Sequence, residues 1–269
     1  MLIYPKINPI AIQIASFKVY WYGIMYMLSF MWFAIAAKLR IKKYPHEFLN
    51  NKLIDDLLFY AAIGVIVGGR LGYCFFYQTE FYINHPIDIL KTWQGGMSFH
   101  GGLIGVLLAI YLFARYHKQN FFVIADFVAM FIPVCLLLGR LGNFINAELP
   151  GRFVSNPHLW WATIYPNSGS LLPRHPSSVY EMLGEGVLLS IILFYYANKE
   201  RRVSSISGVF LLSYGVIRFI LEYFRMPDSF LSDLVNEFGI SMGQILSTPM
   251  IILGLIVLYY SKFQTIRKI

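Results

Sequence analysis

The sequence predicts an all-α membrane protein, a bundle of seven transmembrane helices carrying a small extracytoplasmic head. Three observations predict it. Of 269 residues, 57% are hydrophobic and 13% charged, against about 25% charged in a soluble domain. Seven apolar stretches approach or reach the roughly 20 residues that a helix needs to cross a bilayer. The basic residues gather in connections on one side of those stretches, as orientation signals do. That placement also argues against nucleic-acid binding as the meaning of the net charge of +8.

The elements follow in order. Residues 1–18 contain Pro5 and Pro9 and lack a basic stretch leading into a continuous apolar run. No cleavable signal peptide is expected, and the first helix is expected to act as the insertion signal. The predicted spans are 19–37, 56–77, 99–115, 121–139, 178–197, 206–224 and 243–261. The third is short and opens on glycines. The fourth carries Asp126 near its start and Pro133 inside, so a kink is expected there.

The connections give orientation. Lys38, Arg40, Lys42, Lys43 and Lys52 follow the first helix, Arg115 and Lys118 the third, Lys199, Arg201 and Arg202 the fifth, and Lys262, Arg267 and Lys268 the seventh. By helix parity, these 13 of the 22 Lys and Arg residues lie on one side. Basic residues stay in the cytoplasm, so the C-terminus is expected inside and the N-terminus outside. The chain reads as one domain over 1–269. Its longest connection, 140–177, is rich in Pro, Asn, Ser and Trp and forms the head between the fourth and fifth helices. Long ordered loops are often functional.

Arg70, Arg140 and Arg218 fall in or near apolar spans. A guanidinium at a helix centre costs about 2.5–3.5 kcal/mol on insertion scales, so each needs compensation. Snorkelling to the headgroup layer is one answer, and pairing with an acid is another. Glu222 lies four residues after Arg218, on the same helix face. Arg140 is more crowded: Asn143, Asn146, Glu148 and Arg152 follow it closely. A lipid phosphate would compensate it, because the planar fork of arginine binds phosphate oxygens in pairs. Gly69-Arg70-Leu71-Gly72-Tyr73 echoes Gly139-Arg140-Leu141-Gly142-Asn143, although five residues do not establish a duplication.

The run Gly95-Gly96-Met97-Ser98-Phe99-His100-Gly101-Gly102-Leu103-Ile104-Gly105 opens the third helix. Gly101 and Gly105, four apart, suit close helix packing in lipid. His100 at the helix mouth is left over, and an imidazole titrating near pH 6.5 suits proton transfer. Arg174-His175-Pro176-Ser177-Ser178-Val179-Tyr180-Glu181 reads as an N-terminal cap, with Glu181 completing a box with Ser178. Arg218, Glu222 and Arg225 are spaced for one helix face, with the carboxylate holding two guanidiniums in register for an anion.

Cys74 and Cys135 sit in apolar stretches and suggest neither a disulfide framework nor a metal site. No zinc-hydrolase pattern, serine elbow or phosphate-binding loop appears, so hydrolase, metalloprotease and ATPase readings lose support. A lipid or solute transporter is the alternative, which the arginine echo and Pro133 fit loosely; it calls for inverted repeats and charged midplane sites. No full repeat appears, and the polar residues lie toward the outer side. A purely structural membrane scaffold leaves the arginine–amide run unexplained.

Trp21-Tyr22-Gly23, Gly95–Gly105, Gly139–Gly151, Arg174–Glu181, Tyr214–Asp228 and Ser241-Met242-Gly243-Gln244-Ile245-Leu246-Ser247 resemble the bacterial prolipoprotein diacylglyceryl transferases, in order and over nearly the whole chain. Ala147 stands where some members have glycine, and residues 152–172 are shorter than in some. The resemblance implies a seven-helix enzyme of the bacterial inner membrane with a periplasmic head and no cofactor. It implies transfer of a diacylglyceryl group from phosphatidylglycerol to the lipobox cysteine in the signal peptide of a preprolipoprotein, forming a thioether and releasing glycerol phosphate. The family's functional positions fall on Tyr22, His100, Arg140, Asn143, Glu148, Gly151, Arg218 and Glu222. In that chemistry Arg140 and Arg218 stabilise the leaving phosphate, helped by Asn143. Glu148 and Glu222 orient the arginines, and Tyr22 bonds the lipid headgroup. His100 is the candidate base for the thiol, with a purely electrostatic role of the arginines as the rival. The enzyme's own cysteines need no role.

Overall fold

A computed structural model describes residues 1–15, 17–156, 158–166, 169–226 and 239–267. Lys268, Asp228 and, in the 140–177 connection, residues 157, 167 and 168 lie outside the described residues. The chain is mostly helical. The helices are α1 (Trp21–Lys43), α2 (Asn51–Phe76), α3 (Thr79–Asn84), α4 (Phe99–Tyr116), α5 (Phe121–Ala129), α6 (Ile132–Ile145), α7 (Ser177–Glu181), α8 (Leu189–Ala197), α9 (Ser205–Leu221) and α10 (Met242–Ser261). A π-helical run, Met182–Leu188, joins α7 to α8 into one 21-residue helix.

Among the described residues, five helices are long and apolar enough to cross a bilayer: α1, α2, α4, α7–α8 and α10. The α5–α6 pair makes a sixth if its 49° bend is taken within one span. The expected kink is therefore present, and Pro133 sits in the first turn of α6, where its missing N–H has no partner to lose. The remaining predicted span, α9, has 17 residues. At 1.5 Å per residue it is about 26 Å long, short of a hydrocarbon core of about 30 Å.

The apolar runs located the helices and misjudged their ends. α1 continues to Lys43, so Lys38, Arg40, Lys42 and Lys43 lie on the helix and not in a loop. Lysine and arginine are good helix formers and favour a C-terminal turn. α2 begins at Asn51 because Asn50 caps it, accepting from the Leu53 N–H at 3.0 Å. α6 continues past residue 139 to Ile145, so Arg140 and Asn143 belong to a helix and not to the head loop.

The chain divides into two compact units, Ala37–Ala125 and the remainder. In the first, α2 and α4 pack along a glycine stripe. A Cβ on Gly64 would lie 2.5 Å from the Gly105 carbonyl oxygen, and one on Gly72 would lie 2.7 Å from the Gly101 Cα. The packing explanation for Gly101 and Gly105 thus holds. Arg70, 3% exposed, closes the end of this unit. Its Nε donates to the Ile89 carbonyl at 2.8 Å, its Nη1 to Gly95 (2.5 Å) and Gly96 (3.3 Å), and its Nη2 to Asp88 (2.6 Å) and Lys91 (3.2 Å). The Tyr82 ring lies 5.2 Å from its guanidinium carbon. Gly96 completes the cage at φ +79°, where a Cβ would also meet the Tyr73 ring at 2.5 Å.

In the other unit α9 packs against α10, with a Cβ on Gly254 only 2.6 Å from the Leu212 nitrogen. Fully buried Asp126 caps α9 from outside that helix. It accepts from the N–H of Ser204 (2.7 Å), the N–H of Ser207 (2.7 Å) and the Ser207 hydroxyl (2.6 Å), a favourable use of a carboxylate at a helix N-terminus. Small strands frame this unit. β1 (Leu2–Ile3) runs parallel to β4 (Thr163–Ile164). β2 (Ile10–Ile14) and β3 (Phe17–Tyr20) form a hairpin leading into α1, and β5 (Arg201–Arg202) pairs with β6 (Ile266–Arg267). The Tyr4 hydroxyl donates to the carbonyls of Phe144 (2.5 Å) and Ile145 (3.0 Å), tying the N-terminal strand to the end of α6.

Candidate active site

The site begins with three helices that each contribute charge. α6 presents Arg140, α9 presents Arg218, and the α7–π–α8 helix presents Glu181 and Glu185, four residues apart. Both glutamates are essentially inaccessible, at 1% and 0% exposure. Glycines set the approach of the three helices. A Cβ on Gly186 would come within 2.5 Å of the Leu137 Cβ on α6, and one on Gly184 within 2.9 Å of Ile217 on α9. The carboxylate-bearing helix is therefore wedged between the two arginine-bearing ones. The π-helical run is a further departure from regular geometry, of a kind often found at functional sites.

The ion pairs interlock. Arg140 Nη1 lies 3.1 Å from Glu181 Oε2, while its Nη2 and Nε lie 3.0 and 3.1 Å from Glu185 Oε2. Arg218 Nη1 lies 2.6 Å from Glu181 Oε1 and 3.3 Å from Glu185 Oε1, and its Nη2 lies 2.6 Å from Glu222 Oε2. Arg225 Nη1 reaches Glu181 Oε1 at 3.4 Å. Three guanidiniums thus meet three carboxylates, and the formal charges cancel. Burying these ions is tolerable because each has a partner with good geometry. The pairing of Arg218 with Glu222 expected from their spacing is present. The expected bridge from Glu222 to Arg225 is replaced by Arg225 with Glu181.

Two sequence assignments are corrected. Glu181 does not close a capping box: Pro176 occupies the cap position without a side-chain bond, and the Ser177 hydroxyl donates to the Leu149 carbonyl at 2.5 Å. That carboxylate pairs instead with Arg140, Arg218 and Arg225. Glu148 does not orient an arginine. It accepts from Asn143 Nδ2 at 2.8 Å and Asn146 Nδ2 at 3.1 Å, so the Asn143 amide is already engaged. Glu148 is exposed, and its backbone is flanked by two left-handed non-glycine residues, Ala147 (φ +55°) and Leu149 (φ +56°). That turn bends the chain sharply out of α6 and is costly for L-residues.

Tyr22, near the start of α1, lays its ring against Gly142, where a Cβ would meet it at 2.7 Å. Gly151 is equally constrained, since a Cβ would lie 2.6 Å from the Phe224 carbonyl oxygen. Its N–H donates to the His175 carbonyl at 2.9 Å. The His175 ring faces the Tyr180 hydroxyl at 3.1 Å, and that hydroxyl accepts from Trp161 Nε1 at 2.7 Å. Burial lowers the His175 pKa. Burial also pushes the nearby Tyr165 hydroxyl up to about 12. His175 thus ties the end of the α6–α7 connection to the first turn of α7.

His100 belongs to the Ala37–Ala125 unit, exposed in the first turn of α4, with its ring edge-on to Phe99 at 5.6 Å. Ser98 caps that turn, accepting from the Gly101 N–H at 3.2 Å. Of the eight positions predicted for the site, Arg140, Arg218 and Glu222 share one ion network, and Asn143 and Glu148 share a hydrogen bond. The sequence reading missed Glu185 altogether and misread Glu181. Two acids four residues apart in one apolar span were the available signal, because buried acids need cations.

Residues 9–260 match the family described as prolipoprotein diacylglyceryl transferase. The chain belongs to that family. Among its relatives, a protein of Polynucleobacter necessarius is 51% identical over 257 residues, covering 95% of this chain and 96% of the relative. One from Polaromonas sp. is 49% identical over 260 residues, covering 94% and 93%. One from Paracidovorax citrulli is 47% identical over 273 residues, covering 99% and 100%. All three are named phosphatidylglycerol–prolipoprotein diacylglyceryl transferase. Membership makes this chain a multi-pass membrane transferase of lipoprotein modification.

Proposed function

We propose that this chain transfers the diacylglyceryl group of phosphatidylglycerol to the lipobox cysteine of preprolipoproteins, with Arg140 and Arg218 gripping the lipid phosphate. The single observation behind this is that guanidiniums from two helices converge on the same two buried carboxylates, Glu181 and Glu185. The thiol sulfur attacks the glycerol carbon that bears the phosphate. The carbon–sulfur bond forms as the carbon–oxygen bond breaks, the electron pair leaves on glycerol phosphate, and the thiol proton passes to a base. Charge builds on the departing oxygen, and fixed N–H donors stabilise it. Removing one such donor typically costs about 10²–10³ in kcat.

A free thiol of pKa about 8.5 is only a few per cent thiolate at pH 7. His100 is the proposed base, supported by its residue type and its exposure. Asn143 fixes Glu148, whose exposed carboxylate is suited to accept a hydroxyl of the headgroup glycerol. Tyr22, its ring packed on Gly142, offers a hydroxyl to the headgroup, and the close packing at Gly151 keeps this wall of the site in shape. Glu222 holds Arg218. The cysteines of the enzyme take no part. In this reading the chain crosses the bacterial inner membrane seven times, with the N-terminus outside, the C-terminus in the cytoplasm, and the connection between α6 and α7 contributing a periplasmic head.

The test is transfer by purified protein in detergent, given phosphatidylglycerol and a lipobox peptide. Thioether product is expected without any gradient, and density for bound lipid should put the phosphate at Arg140 and Arg218. A headgroup bound far from both arginines would sink the proposal. For His100, a pH–rate profile unchanged in His100→Gln would remove the base assignment.

A further inference from the structure

We propose that Glu185 is a positioning residue of the transfer reaction, setting which N–H groups of Arg140 and Arg218 are presented to the phosphate. This rests on the function proposed above. Glu185 has no exposure, so it cannot touch substrate, and it contacts both arginines. One oxygen, Oε2, takes both the Nε and the Nη2 of Arg140, and the other, Oε1, faces Nη1 of Arg218. The Nε–Nη2 edge is the side-on fork with which arginine usually binds an oxyanion. At Arg140 that edge is spent on Glu185, and Nη1 also contacts Glu181. What is left for a phosphate is the end of the guanidinium, where each terminal nitrogen keeps one further N–H. Glu185 therefore decides the direction in which Arg140 points.

The helix is built to hold the carboxylate there. Glu185 lies within the π-helical run, between Gly184 and Gly186, which admit α9 and α6 respectively. Two guanidiniums brought together for a phosphate repel each other before it arrives. A carboxylate touching both offsets that repulsion and fixes their separation.

Charge gives the inference a distinctive signature. The network is formally neutral, so the anionic headgroup is held by directed donors and not by net charge. Glu185→Gln leaves one positive charge in excess. Attraction for an anionic lipid should then be kept or increased, while the arginines lose their fixed direction. The expected result is a KM for phosphatidylglycerol equal to or below wild type, with kcat lower by about 100-fold, the usual cost of misplacing a reacting group by about 1 Å. A purely structural defect would not tighten KM. Glu185→Asp keeps the charge but is one methylene too short to span both arginines, so it should also lose rate.

The experiment measures kcat and KM for phosphatidylglycerol in wild type, Glu185→Gln, Glu185→Asp, Arg140→Lys and the Arg140→Lys/Glu185→Gln double variant. Melting in detergent is measured alongside. Because Glu185 acts through the arginines, adding Glu185→Gln to Arg140→Lys should lower the residual rate by less than Glu185→Gln lowers the wild-type rate, the remainder passing through Arg218. Wild-type kcat in folded Glu185→Gln and Glu185→Asp would overturn the inference, as would full additivity in the double variant. Failure of both single variants to fold would also overturn it, by making Glu185 a determinant of the fold. If Arg140→Lys itself turns over like wild type, the underlying phosphate-binding proposal fails, a result distinct from failure at Glu185 alone.

Discussion

Arg70 and Arg140 occupy the same short sequence, Gly-Arg-Leu-Gly, each toward the end of an apolar helix. Their fates differ. Arg70 is enclosed by five backbone carbonyls and the face of Tyr82, which engage its Nε and both terminal nitrogens. Arg140 is met by the carboxylates of Glu181 and Glu185 and retains N–H groups for a ligand. The first is a clasp that organises the Asp88–Gly96 loop. The second is an ionic centre whose partners can share it with an incoming anion. An arginine buried in a membrane protein is thus defined by what satisfies it: carbonyls on every donor leave nothing for a substrate.

The sharpest way to break this comparison is to substitute both by lysine. Lysine keeps the charge and loses the fork. Arg140→Lys is expected to insert and melt normally but to lose at least about 100-fold in kcat. Arg70→Lys is expected to do the opposite. A lysine reaches fewer of the five carbonyls, and each buried acceptor left without a donor costs about 1–3 kcal/mol. Melting and single-turnover measurements on the two proteins decide it; lost turnover in a fully stable Arg70→Lys would abolish the distinction.

Glycine substitutions sharpen it at the next level. Gly186→Ala pushes the Glu185-bearing helix off Leu137, and a fall of about tenfold in kcat with little loss of stability is expected. Gly96→Ala forces a side chain into positive φ beside Arg70 and Tyr73, and its effect should appear as about 1–3 kcal/mol of lost stability. Equal losses of rate in both would show that the two arginine environments are not functionally separate. The smallest effect is expected at Ala147, held at φ +55°. Ala147→Gly removes a left-handed penalty of about 1–2 kcal/mol and adds about 0.5–1 kcal/mol of unfolded-chain entropy, a net gain of about 0.5 kcal/mol. A lower melting temperature would contradict the strain.

Much of this was legible in the chain. Apolar runs located the helices, because exclusion of charge over a long stretch has few other meanings. Their ends were not legible. Asn50 starts α2 by capping, and α1 extends through four basic residues, neither of which a hydropathy pattern registers. Arg140, Arg218, Asn143, Glu148 and Glu222 stood out as polar groups in costly surroundings. Glu181 was visible but assigned to the nearest local use, a helix cap, since sequence spacing reports only neighbours on one helix. Glu185, four residues after Glu181 in an apolar span, signalled a buried acid, but no cation near it in sequence showed what pairs with it. The role of Tyr4, bonded to the end of α6 from 140 residues away, had no sequence signal at all.

The sequence by itself determined the solvent of this protein, its helical character and the family of its chemistry, because hydrophobic burial and motif spacing are written residue by residue. Only the tertiary structure decided which charges meet. Ion pairing depends on distance across helices, and four residues in one helix say nothing about the arginines on two others.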